Sequence, residues 1–67
     1  DLQGSSFKNA DLKFANFYSA NLSNADLSGA DLRNAFLGNA DLSNANLEGA
    51  TLEGATMTCF GHDLCTN

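Results

Sequence analysis

The sequence predicts an all-β solenoid, a chain wound into a coil of short extended sides joined by tight corners. Three columns of residues predict it. A large apolar residue recurs at every fifth position: Leu2, Phe7, Leu12, Phe17, Leu22, Leu27, Leu32, Leu37, Leu42, Leu47, Leu52 and Met57. Two positions before a centre stands a small residue, first Ser5 and then Ala10 and every fifth residue to Ala55, so that every alanine of the chain lies in this column. Two positions after the centre, nine of twelve residues are Gly or Asn; Phe14, Ser19 and Cys59 are the exceptions.

A step of five suits neither simple element. On a helix it rotates ~140°, so the centres would mark no face. On one straight strand an odd step sends successive centres to opposite sides. Within a unit, however, the small residue and the centre are two apart, and a short extended piece points both inward. The Gly or Asn that follows tolerates the left-handed backbone of a turn. Each unit is then one side and one corner, and stacked coils form a ladder with ~4.8 Å between them.

The position just before the centre is Asp, Asn, Ser or Thr in eleven of twelve units, with Phe36 the exception. These side chains can bond local backbone groups at the corner, so their role is read as structural.

Composition narrows the function classes. The chain has 67 residues, no Trp or Pro and 43% apolar residues, which fits one small ordered domain. Eight acidic against three basic residues give a net charge of -5, which predicts no direct nucleic-acid binding. No apolar run approaches a membrane span, so no membrane insertion is expected. Asp1 opens in mid-repeat without a preceding Met, which leaves room for upstream sequence. One His, no nucleophile-base arrangement and glycines that all read as turn residues predict a protein that is not an enzyme and holds no cofactor or metal.

Periodicity alone does not fix the number of sides; the longest near-identity, "NADLSGA" at 24–30 against "NADLSNA" at 39–45, has a lag of fifteen. The units "ADLSG", "ADLRN", "ADLSN" and "ANLEG" closely resemble those of the pentapeptide-repeat family, and the resemblance covers residues 1–59. It implies a right-handed quadrilateral β-helix with twenty residues per coil. Here that means about three coils, 1–19, 20–39 and 40–59, followed by a short cap or tail at 60–67.

Four-sided winding stacks residues twenty apart. Asp11 then lies beneath Asp31, a like-charge neighbour that Lys13 and Arg33 can offset. Three large residues occupy outward columns: Phe14, Tyr18 and Phe36. Phe36 stacks above Asn16 on the fourth side, Tyr18 lies diagonally below it, and Phe14 sits at the corner leading in. Gly38 stacks over Tyr18 and leaves room beside Phe36. The three are read as a protein-contact surface.

The tail "CFGHDLC" holds Cys59, His62 and Cys65, with Asp63 as a further oxygen. A small zinc site usually needs a distant second ligand pair, which is missing. A local disulfide between Cys59 and Cys65 that pins Phe60 and Leu64 over the last coil ranks first, two free thiols second and zinc third.

The resemblance leaves function open, because fold does not give function. A non-catalytic structural or interaction module ranks first. The family includes many such proteins in cyanobacteria, and members in the thylakoid lumen, some with a disulfide near one end. The resemblance thus favours an oxidising thylakoid lumen or periplasm. A DNA mimic that binds a type II topoisomerase is the alternative. It is weakened by length: three coils span ~14 Å, or ~4 base pairs of duplex. An ice-like ligand would want rows of outward Thr, and only Thr51, Thr56 and Thr58 are available. Apolar side chains at both ends of so short a coil predict a fragment of a longer chain or a subunit of a larger assembly.

Overall fold

The computed structural model describes residues 1–66. It pairs residues twenty apart in parallel: Ser6 with Asp26, Asp11 with Asp31, Asn16 with Phe36, Asn21 with Asp41, and above these Asp26 with Asn46, Asp31 with Thr51 and Phe36 with Thr56. Four units therefore close one turn. Side one is centred on Leu2, Leu22 and Leu42, side two on Phe7, Leu27 and Leu47, side three on Leu12, Leu32 and Leu52, and side four on Phe17, Leu37 and Met57.

The sides are shorter than the word strand implies. Each bridge is a single residue, and no continuous strand forms among the described residues. The reason is length: a five-residue unit spends most of itself turning, so one residue per side lies parallel to its neighbours.

The backbone donors are nonetheless satisfied in a fixed pattern, as the unit starting at Ala25 illustrates. Ala25 N–H closes the corner onto Leu22 O at 3.0 Å. Asp26 N–H reaches down to Ser5 O at 2.9 Å, while Leu27 N–H and Gly29 N–H reach up to Asn46 O and Glu48 O at 2.8 and 2.9 Å. The remaining donor, Ser28 N–H, bonds the Asp26 carboxylate at 3.0 Å. A unit that uses all five of its donors in this way needs no long strand to hold it to its neighbouring coils.

The corners carry the conformation that the Gly and Asn column predicts. Every corner residue from Gly4 to Gly54 has φ between 58° and 73°. With one positive φ at the third residue and a bond from the fourth back to the first, each corner follows the type II pattern.

Inside, Leu22, Leu27, Leu32, Leu37 and Leu42 are fully buried and alternate with Ala25, Ala30, Ala35 and Ala40. Leu2, Phe7, Leu12, Leu52 and Met57 are only partly buried, because their coils have a neighbour on one side alone. Phe7 and Phe17 pack edge to face in the lowest coil with centroids 5.9 Å apart.

The last turn departs from the sequence register. Asp41 pairs with Phe60, nineteen residues on. Phe60 N–H bonds Ala40 O and Leu42 N–H bonds Phe60 O, which puts Phe60 in the column just before a centre. Cys59 is thus not a corner residue; it takes the inward place of an alanine and is 1% exposed. The Met57 carbonyl has no corner to close and accepts Thr66 N–H at 2.6 Å instead. Gly61 then turns the chain with φ 84° where a Cβ would lie 2.8 Å from the Ser43 nitrogen. Asn67, the end of the expected 60–67 tail, lies outside the described residues.

Candidate contact surface

The polar column before each centre builds the coil rather than a reactive site. All eight Asp and Asn residues in it accept the backbone N–H two residues on, at 3.0–3.2 Å. On Asp26 and Asp41 the Ser28 and Ser43 hydroxyls add a second bond at 2.6 Å. These hydroxyl bonds, followed by the backbone ones, hold both carboxyls below their ordinary value. Asp31 accepts a paired Arg33 guanidinium at 2.9 and 2.8 Å, which lowers its pKa from 3.8 to about 2. The same bond raises the Arg33 pKa. Lys13 sits more loosely, 3.8 Å from Asp11. The stacked Asp11 and Asp31 are therefore each offset by a cation two residues on. No group of three His, Cys, Asp or Glu side chains arranged to hold a metal occurs among the described residues.

Side four is different. Its outward positions are Asn16, Tyr18 and Ser19, then Phe36, Gly38 and Asn39, then Thr56 and Thr58. None is charged, whereas all ten charged residues up to position 59 lie on the other three sides. Phe14, Tyr18 and Phe36 are 67%, 68% and 52% exposed. Phe36 lies on the bridge between Asn16 and Thr56, in the middle coil. The Tyr18 side chain leans up over Gly38, where a Cβ would be 3.1 Å from the ring and 3.4 Å from the Thr58 hydroxyl. Tyr18 and Phe36 are thus brought to one side, and Phe14 stands at the corner that leads into it.

Two of the three aromatic positions carry a cost at the backbone. Phe14 takes φ 63°, a left-handed conformation that costs a bulky L-residue about 1–2 kcal/mol. Phe36 has no side-chain oxygen, so the buried Gly38 lacks the N–H acceptor that Asn16 gives Tyr18 at 3.0 Å. Gly38 has no positive φ to explain it; it is small because the Tyr18 ring covers it. The empty charge column and these two costs were missing from the sequence reading. The first is visible once the residues are written in rows of twenty; the second needs the donor pattern.

At the upper end Cys59 and Cys65 are joined in a disulfide, with Cα atoms 5.1 Å apart. It ties the tail to the last coil, beside the bond from Thr66 to Met57. Cys65 N–H closes a turn onto His62 O, and Leu64 N–H bonds His62 Nδ1. Phe60 and Leu64 stay about half exposed.

A family model described as pentapeptide repeats, in eight copies, matches residues 1–34 and 20–58. Among solved structures the chain is similar to a pentapeptide repeat protein from the cyanobacterium Cyanothece 51142. They share 46% identity and a TM-score of 0.79 over 81% of this chain and 37% of that one. It is also similar to a pentapeptide repeat protein from the thylakoid lumen of Arabidopsis thaliana, with 30% identity and a TM-score of 0.55 over 97% of this chain and 53% of that one. The chain spans less than two thirds of the length of either. No curated protein matches it. These neighbours imply a β-helix solenoid, in agreement with the lag-twenty pairing. By its repeats and by these likenesses, the chain belongs to the pentapeptide-repeat family.

Proposed function

We propose that this chain is a non-catalytic protein-interaction module that docks through Phe14, Tyr18 and Phe36. In this reading residues 1–59 form a right-handed quadrilateral β-helix of about three coils and residues 60–67 a tail. The observation that carries it is side four: exposed aromatic residues gather on the one uncharged side, at positions where polar residues would suit the coil better. Strain and lost hydrogen bonds kept at a surface are what a contact site shows when binding is traded against stability. An apolar spot with an uncharged polar surround is the composition of an interface centre. The tail disulfide and the lumenal plant neighbour support an oxidising compartment, the thylakoid lumen or the periplasm. A DNA mimic is less well supported, since Lys8, Lys13 and Arg33 interrupt the acids on sides two and three.

The test is the triple variant Phe14→Ser, Tyr18→Ser and Phe36→Asp, assayed by pull-down from the native source and by thermal unfolding. Partners lost at an undiminished melting temperature support the reading. Undiminished recovery with an intact fold removes side four as the contact surface.

A further inference from the structure

The geometry points to a second copy of this chain as an occupant of side four, in a weak, reversible two-fold dimer. This rests on the reading of side four as a contact surface and adds the partner. Charge is the first argument. Two copies of net charge -5 repel, and on sides one to three a self-contact buries charged side chains. Side four is the side on which two copies meet without burying a charge.

Self-complementarity is the second. A two-fold contact needs residue i of one copy to meet residue j of the other, and j to meet i. Phe36 stands just before Leu37, and the Tyr18 ring covers Gly38 just after it. The two aromatic groups therefore flank one point in the middle coil. A two-fold axis lying in the contact plane, parallel to the coil axis and passing over that point, sets Phe36 of each copy against Tyr18 of the other. Asn16, Thr56, Thr58 and the hydrogen-bonded Ser19–Asn39 pair, 3.2 Å apart, surround them with uncharged polar groups.

Size sets the strength. The molecule measures 23 × 22 × 19 Å, so one side falls well short of the about 800 Å² that each partner buries in a standard stable interface. The dimer accordingly dissociates in the range of about 10 μM to 1 mM.

Sedimentation equilibrium of the full chain across that concentration range tests it. The wild-type mass is expected to rise from the 7.0 kDa monomer toward twice that value. Phe36→Asp restores an acceptor for Gly38 N–H and places like charges at the dimer centre. It should stay monomeric, with association weakened at least tenfold, at a melting temperature equal to or above wild type. Ser6→Asp makes the same charge change on side two and should leave association within about twofold. A wild-type monomer throughout, or equal weakening by both substitutions, overturns the dimer. A monomeric wild type whose partner recovery still fails with Phe36→Asp overturns the second copy alone and leaves the contact reading standing.

Discussion

On side three, Asp11, Asp31 and Thr51 stack, each carboxylate holds the next backbone N–H but one, and Lys13 and Arg33 offset the charge. Side four repeats the same backbone pairing with Asn16, Phe36 and Thr56, yet shows aromatic rings and no charge. The inward residues of the two sides are the same kind: Leu32 and Leu37 are both fully buried between alanines. The core columns and the inter-coil bonds therefore fix the coil whatever it shows outward. The outward face is free to serve something else, and only where it takes the place of a corner residue or a backbone acceptor does that freedom cost stability.

The largest effects should not distinguish the two sides. Leu32→Ala and Leu37→Ala each remove a fully buried side chain and should cost about 2–5 kcal/mol, equal to within about 1 kcal/mol. Urea unfolding of both variants checks this. A much cheaper Leu37→Ala would mean that side four is packed differently inside as well as outside.

Loss of the disulfide acts next, and at one end. The loop it closes is short, so Cys65→Ser should cost about 2 kcal/mol. Because Thr66 bonds the Met57 carbonyl, amide exchange should quicken in the tail and at the top of side four, with side two at Leu27 unchanged. Intact mass before and after reduction and alkylation establishes the bond itself; two thiols alkylated without reduction would contradict it.

Phe14 should respond in the opposite direction. Phe14→Gly relieves the left-handed strain and should stabilise the coil by about 1 kcal/mol in thermal unfolding. A loss of stability would show that its exposed ring packs usefully against the corner.

Acid separates the sides without mutation. Asp26, Asp31 and Asp41 have lowered pKa values, so the stability they supply is complete above the ordinary 3.8 and is lost as pH falls through each lowered value, which for Asp31 is about 2. The amides of Ser28, Arg33 and Ser43 should then lose protection over that window, corrected for intrinsic exchange. Tyr18 N–H bonds an Asn16 amide that does not titrate and should keep its protection until the whole coil melts.

Much of this was legible in the sequence, because a strict period of five leaves few ways to wind. The inward columns, the left-handed corners and the placing of Tyr18 beside Phe36 follow from spacing once four sides are assumed. Cys59 was not legible. A cysteine suits both a corner and an inward slot, and what moves it inward is the missing turn after Met57, set by Thr66 and the disulfide far along the tail. Among the described residues the continuous strands implied by an all-β class are also absent, since one residue per side is all that a five-residue unit can extend. The energetic oddity of Phe36 needed the donor pattern and the burial together. The amides of Lys8, Glu53 and Thr58, which follow Ser6, Thr51 and Thr56, also lack the bond that Ser28 and Tyr18 N–H make to the preceding Asp and Asn, but they are exposed, whereas Gly38 is buried.

The central claim is that side four carries aromatic residues at the expense of the coil. Urea unfolding of Phe36→Asn tests it most directly, since Asn restores the acceptor that Gly38 N–H lacks and disturbs no inward residue. The account predicts a higher midpoint at unchanged slope, a gain of about 0.5–1.5 kcal/mol. A lower midpoint would contradict it and make Phe36 part of what holds the coil together.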